Sequence, residues 1–138
     1  MPERYLRLSP GDTPPNLNDF TPFKAVLIVE TDVEADWQTS VSRWLADSGC
    51  LYMMAWGNGC SSWDTSVDEA NLEQFDYGEI PEDDFIMTTW HENEPLAEVL
   101  WFAKTTAHHP TVELRNVLFL HVGANDREDE ISALFAAA

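Results

Sequence analysis

Four short apolar runs, separated by longer amphipathic segments, constrain this sequence more than any other feature. They are KAVLIVE (24–30), CLYMMAW (50–56), FIMTTW (85–90) and NVLFLHV (116–122). A continuous apolar run of this length is typical of a strand that is buried on both faces, as in a parallel sheet. Strands that alternate with helices favour a parallel sheet with right-handed crossover connections.

The segments between the apolar runs have helical features. In residues 31–49 the apolar residues recur at helical spacing, Thr31 and Glu34 form a capping-box pattern, and Gly49 suits the C-terminal end. Ser61 and Asp64 repeat the capping-box spacing at the start of the next segment. Further helices are predicted over 61–75, over 92–109 and from Asn125 or Asp126 onward. The predicted fold is a single three-layer α/β/α domain with a mostly parallel sheet of four or five strands, flavodoxin-like or Rossmann-like.

The start of the chain differs in composition from the rest. Residues 9–22, SPGDTPPNLNDFTP, hold four prolines and several turn-forming residues. We therefore expect an N-terminal proline-rich arm over residues 1–23, which wraps the domain or reaches a partner, followed by the α/β domain over residues 24–138.

The net charge of −18 arises from 25 acidic and 7 basic residues. Such a field repels nucleic acids and anionic membranes over roughly 10 Å at 0.1 M salt, and it attracts basic surfaces. A basic protein is therefore the predicted partner, with no nucleic acid and no membrane. The alternative is that the charge only aids solubility.

The predicted compartment follows from the hydropathy pattern and the cysteines. No stretch approaches the ~20 apolar residues of a transmembrane helix, and MPERYLRLSP lacks the apolar core of a signal peptide. We therefore expect a cytoplasmic protein in which Cys50 and Cys60 are reduced thiols.

Ligands of open parallel sheets bind beyond the carboxyl ends of the strands, near a switch point in strand order. This rule selects the segments 30–32, 56–64, 89–94 and 121–126.

A phosphate-binding loop is the first interpretation of the segment 56–64. GNGCSS (57–62) follows a strand and opens a helix, as such a loop would. Ser62 occupies the third glycine position, and no Lys or Arg lies between Arg43 and Lys104. A tight turn and a helix start are therefore expected there, without a nucleotide cofactor.

A nucleophile at the same edge is a second interpretation. Cys60 lies at a predicted helix N-terminus, which lowers a thiol pKa, and His91 closes a predicted strand. Asp64, Glu92 or Asp32 would orient the imidazole, giving a Cys–His–acid set suited to hydrolysis. The alternative is that Cys60 is a small half-buried residue.

Metal binding is a third interpretation of this edge. His91, Glu92 and Glu94 are close in sequence, and Asp32, Asp64 and Asp126 fall on the same predicted rim. Loose acidic rims are common in a chain of this charge, so no metal and no cofactor are predicted.

Aromatic and acidic residues provide candidate binding positions. Trp56, Trp63 and Trp90 fall at the predicted edge, where they form a binding floor or cap the core. The tryptophans within helices, Trp37, Trp44 and Trp101, are expected mostly in the core. The acidic binding candidates are Glu82, Asp83, Asp84 and Glu94.

Two resemblances add to these expectations. The segments GCLYMMAWG, CSSWD, MTTWHENEPLAEVLWFAK and HHPTVELRNVLFLHV resemble an uncharacterised family of small acidic bacterial proteins, over residues from about 24 to 122. That resemblance implies no activity. The order of an early acid, DWQTSVSRWLADSG and TTWHENEPLAEV also resembles the TIR-like layout, which implies NAD cleavage by a helix glutamate at Glu94 or Glu98. The acidic rim disfavours a diphosphate ligand.

The sequence therefore predicts an acidic protein-binding module, such as an immunity or inhibitor protein acting on a basic partner. The alternative is a small hydrolase or nucleotide-processing enzyme with its site at the carboxyl edge of the sheet. The oligomeric state stays open.

Overall fold

The computed structural model describes residues 1–138 and contains one five-stranded parallel sheet with four helices. The predicted α/β fold with a parallel sheet is confirmed. No helix is both long enough and apolar enough to cross a bilayer. The strands are β1 (Glu3–Leu8), β2 (Phe23–Val29), β3 (Cys50–Gly57), β4 (Met87–His91) and β5 (Asn116–Val122). The helices are α1 (Ala35–Asp47), α2 (Cys60–Glu73), α3 (Leu96–Thr105) and α4 (Glu128–Ala137), with a 3-10 turn at Glu82–Asp84.

The strand order across the sheet is β1-β5-β2-β3-β4. From β2 the chain moves outward through α1 and α2 to β4, and α3 then returns it to β5 on the other side of β2. The order of the strands therefore reverses between β2 and β5, and this is the switch point at which ligands of such sheets bind.

Two apolar clusters, one on each face of the sheet, form the core. Alternate residues of β2 face opposite ways, so that Ala25 and Leu27 join Val41 and Val67 of α1 and α2. Val26 and Ile28 join the cluster that contains α3 and α4, with Val99 and Phe135 among its members. Every residue of β2 is buried, because both faces of this central strand are covered.

The structure corrects the predicted N-terminal arm. Residues 3–8, which the prediction placed in an arm over 1–23, form β1 at one edge of the sheet and pair in parallel with β5. Arg4 and Arg7 interrupt the apolar pattern of this segment, so the sequence alone did not indicate a strand. An edge strand tolerates these arginines because their side chains reach solvent.

The remaining part of the arm, residues 9–22, wraps the domain. Leu17 and Phe20 are buried in the cluster on the α1/α2 face. The indoles of Trp37 and Trp44 donate hydrogen bonds to the backbone oxygens of Asp12 (2.9 Å) and Pro15 (2.8 Å). This segment therefore takes the place of a helix in the connection from β1 to β2.

The helix ends differ from the predicted ones. The Thr31–Glu34 and Ser61–Asp64 capping boxes are absent, because α1 begins after Glu34 and α2 begins after Gly59, both without a side-chain cap. The third helix covers only Leu96–Thr105 of the predicted 92–109, since Pro95 removes a backbone donor at its start. Trp101 points away from the core on this helix and is exposed, contrary to expectation.

Candidate functional site

The GNGCSS turn closes tightly against the end of β2. Gly57 has a φ of +96°, and a Cβ at this position would collide with the carbonyl oxygen of Val29. That same oxygen accepts a hydrogen bond from the backbone N–H of Asn58 at 2.8 Å. Gly59 has a φ of +64° and precedes the first residue of α2. The two glycines are therefore explained by the backbone path, as the turn interpretation predicts.

A cleft of about 360 Å³ lies beyond the carboxyl ends of β3 and β4. It brings together four of the polar residues that the sequence placed at this edge, namely Cys60, His91, Glu92 and Glu94. Trp56, the two turn glycines, Ser61 and Asn93 complete its lining.

His91 is held by its own loop. Its Nδ1 lies 2.6 Å from Glu94 Oε2, and its Nε2 lies 2.8 Å from Thr89 Oγ1. The indole of Trp56 donates to the backbone oxygen of Glu94 at 2.6 Å, which fixes the loop further. The acid that orients the imidazole is thus Glu94, and neither ring nitrogen is hydrogen-bonded to Cys60.

Neither Cys60 nor Asp64 of the predicted catalytic set is hydrogen-bonded to His91. Cys60 is buried at the start of α2 and packs in the cluster on the α1/α2 face. Asp64, one turn further on, is 7% exposed, and its Oδ2 has no hydrogen-bond partner. Burial, followed by the nearby charge of Asp68, raises the pKa of Asp64. Asp64 does not line the cleft, so the structure forms no Cys–His–acid relay.

A second group of polar residues occupies the switch point, and the sequence reasoning found only half of it. His121 is buried on β5, with Nε2 at 2.6 Å from Glu30 Oε1 and Nδ1 at 2.6 Å from the hydroxyl of Tyr5. Arg127 NH1 lies 2.9 Å from the other oxygen of Glu30. Glu30 and His121 belong to the segments that the strand-end rule selects. Tyr5 lies on β1, which the sequence does not predict, and Arg127 lies one residue beyond the segment 121–126.

Hydrogen bonds connect the members of this group. The backbone N–H of Arg127 donates to the Tyr5 hydroxyl oxygen at 3.1 Å, and the same hydroxyl lies 2.6 Å from His121 Nδ1. His121 Nε2–H donates to the Glu30 carboxylate. Burial raises the pKa of Tyr5, and the hydrogen bond from the Arg127 guanidinium lowers the pKa of Glu130. The hydrogen bonds of this group show that the protein's own side chains occupy the crevice at the switch point, where they join β1, β2, β5 and α4.

The candidate binding residues divide into buried and exposed positions. Trp63 is buried edge-on against Trp37, with ring centroids 6.4 Å apart, and Trp56 is half-buried. Trp90 is 53% exposed on β4, and Glu82, Asp83 and Asp84 are exposed in the 3-10 turn just before that strand. Asp32 and Asp126 are exposed on loops, and no group of three or more His, Cys, Asp and Glu side chains is arranged to hold a metal ion.

The β4 strand forms an open edge of the sheet. It pairs with β3 on one side only. The acidic 3-10 turn lies at its start, and Glu92 and Glu94 lie just beyond its end. Residues 44–103, which include β3, α2 and β4, contain thirteen acidic residues and no Lys or Arg.

The fold and these sites define a small, doubly wound, acidic α/β domain. The chain belongs to the family described as Domain of unknown function (DUF7684), whose match covers residues 3–138. The resemblance to an uncharacterised family is therefore confirmed. No curated protein and no solved structure gave a significant match to the chain.

Proposed function

We propose that this protein is an acidic binding module of the cytoplasm that takes an extended, basic segment of a partner protein along β4. The observation that carries the proposal is the open β4 edge, which presents an exposed Trp90 between acidic groups at its two ends.

Backbone pairing would supply affinity at this edge. An extended peptide that adds to a sheet edge gains main-chain hydrogen bonds, and its alternate side chains meet the faces of the sheet. The five residues of β4 span roughly 17 Å, which matches about five residues of an added strand. Trp90 offers a large apolar surface beside that strand, of the kind that dominates interface energies.

Charge would supply selectivity. An added strand would lie between Glu82–Asp84 and the Glu92–Glu94 loop, with no basic side chain from residues 44–103 to compete for these carboxylates. Lysine or arginine on both sides of an apolar centre is complementary to this arrangement. An immunity or inhibitor protein that covers the basic surface of its target would have this profile.

Peptides of defined charge test the proposal. The probe is a synthetic extended peptide of alternating lysine and valine, and its control replaces each lysine by glutamate. We expect the basic peptide to bind and to quench tryptophan fluorescence, with an affinity that falls as salt rises. The acidic peptide should not bind, and equal binding of the two would refute the charge argument.

Variants locate the binding site. Trp90→Ala and the triple change of Glu82, Asp83 and Asp84 to Lys should each weaken binding at least tenfold. The matched control changes Asp32, Glu34 and Asp36 to Lys, which alters the net charge equally near the central strand β2. If this control weakens binding as much as the triple change near β4, the effect is a general one of net charge and the β4 site is wrong.

A small hydrolase is the second candidate, because the 360 Å³ cleft holds Cys60 together with His91. Cys60→Ala and His91→Ala should abolish any turnover while leaving the fold intact. In a binding module with its site on β4, Cys60→Ala, which lies outside that strand, should bind the basic peptide as the unaltered protein does.

A further inference from the structure

A cleft of about 770 Å³ is lined by the start of β2 and the loop that follows α3. It therefore lies at the amino end of the sheet, away from the cleft at the carboxyl ends of β3 and β4. Its volume is in the range of small-molecule sites. Three of the seven Lys and Arg residues line it, together with apolar side chains: Lys24, Lys104, Arg115, Ala107, Val112 and Leu114.

Lys24 is an unusual residue for this chain. It is 2% exposed, and its Nζ has a single hydrogen-bond partner, the backbone oxygen of Ala107 at 3.2 Å. An ammonium group has three hydrogens to donate, and a buried charge without a counter-ion is costly. No carboxylate bonds to Lys24, although four arginines of this acidic chain do pair with carboxylates, namely Arg4, Arg43, Arg115 and Arg127.

The other Lys and Arg side chains that line the cleft are already bonded. Lys104 Nζ donates to the backbone oxygens of Phe135, Ala136 and Ala138 at 2.6 to 3.3 Å. Arg115 is paired with Glu113. Among these three side chains, Lys24 is therefore the one whose donors lack partners.

His109 contributes no charge to the cleft. Its Nδ1 accepts from the backbone N–H groups of Thr111 and Val112, so its Nε2 donates to the Phe85 oxygen as a neutral ring. These bonds also fix the loop that forms the wall of the cleft.

We propose that this cleft binds a small organic acid, with its carboxylate on Lys24 Nζ and its hydrocarbon body against Ala107, Val112 and Leu114. A single buried cation balances one negative charge. The C-terminal end of α3, at Thr105, directs its partial negative charge toward this region. This partial charge adds to the cost of a second negative charge on the ligand, so a monocarboxylate with an apolar body fits better than a dianionic phosphate.

Titration of the whole chain with hexanoate tests the assignment. The methyl resonances of Ala107, Val112 and Leu114 in NMR spectra report the binding. We expect saturable shifts of these methyl groups with hexanoate, and at least tenfold weaker binding of hexanamide and of inorganic phosphate. Equal binding of hexanamide would refute the role of the charge. Equal binding of phosphate, or an absence of methyl shifts with hexanoate, would refute the ligand class.

Lys24→Met provides the second arm, because methionine keeps the length and apolar stem of the side chain. It should weaken hexanoate binding at least tenfold, and Lys24→Arg should restore most of it. Arg43→Gln removes one positive charge from α1, the same change in net charge as in Lys24→Met. It should bind hexanoate as the unaltered protein does. Unchanged binding by Lys24→Met would overturn the proposal, and if that variant does not fold, the Lys24→Arg result and the hexanamide comparison decide it.

This cleft and the β4 edge share no residue. Loss of peptide binding in the Trp90→Ala variant and loss of hexanoate binding in Lys24→Met are therefore separate results. Failure of one does not bear on the other.

Discussion

His121 and Glu30 are joined by a 2.6 Å hydrogen bond that links β5 to the residue after β2, across the switch point of the sheet. The second carboxylate oxygen of Glu30 binds Arg127, the residue that precedes α4. One carboxylate thus satisfies a buried imidazole and orients the start of a helix. The crevice that binds ligands in many sheets of this kind serves here to hold the fold together.

Removing the Glu30 carboxylate should therefore destabilise the protein. We expect Glu30→Ala to lower the free energy of unfolding by about 2 kcal/mol, because it leaves the His121 N–H buried without an acceptor. Glu30→Gln should cost only about half as much, since its amide oxygen still accepts that hydrogen bond. Urea denaturation measures both. Glu113→Ala, which removes an exposed pair with Arg115, should change the free energy by less than about 0.5 kcal/mol, and an effect as large as that of Glu30→Ala would contradict this account.

The two turn glycines should respond differently to substitution. Gly57→Ala places a Cβ against the Val29 carbonyl at a positive φ, so we expect a loss of at least about 2 kcal/mol in the free energy of unfolding. Gly59 has open space around it, and Gly59→Asn should cost well under about 1 kcal/mol because Asn adopts the left-handed conformation. Thermal unfolding of the two variants compares them directly. Similar losses at both positions would show that the collision with Val29 is not the cause.

The segment 9–22 should behave as part of the core. Leu17→Ala removes a buried side chain, and we expect it to lower the free energy of unfolding by about 2 to 4 kcal/mol. The nearby exposed residue provides the control, Thr13→Ala, with an effect of less than about 0.5 kcal/mol. Urea denaturation gives both values, and limited proteolysis should show early cleavage in this segment only for Leu17→Ala. A freely mobile arm would make the two variants alike.

Asp64 should lower the stability of the protein at neutral pH. Because burial and the charge of Asp68 raise its pKa in the folded state, the folded chain holds this proton more tightly, and stability falls as the pH rises through the raised pKa. We expect Asp64→Asn to stabilise the protein by about 1 kcal/mol at pH 7, and to lose this gain below about pH 3, where Asp64 is protonated in both states.

Denaturant unfolding across this pH range measures the Asp64 effect. Asp83→Asn removes an exposed carboxylate of the 3-10 turn and should leave stability nearly unchanged at every pH. If Asp64→Asn destabilised the protein at pH 7, the carboxylate would have a stabilising bond that the structure does not contain.

Much of the site could be predicted because strand ends in a parallel sheet are marked by sequence. The runs ending near Glu30, Trp56, His91 and Val122 are nearly continuous in apolar residues, so their ends fall at one edge. The sequence therefore predicts Cys60 and His91 at a common edge, and both line the 360 Å³ cleft. Their mutual orientation was not predictable, because Glu94 and Thr89 reach His91 through a local turn whose path depends on a positive φ at Asn93.

The sequence by itself determined the class of fold, four of the five strands and the charge, since hydrophobic periodicity and composition are local properties. It did not determine that β4 is an open edge with an exposed Trp90. Only the tertiary structure placed β1 beside β5, laid residues 9–22 over the core and joined Tyr5 to His121 and to Arg127. The two bonds of Tyr5 join residues 116 and 122 positions apart. Their free energy comes from packing and burial in the complete fold, which no local pattern encodes.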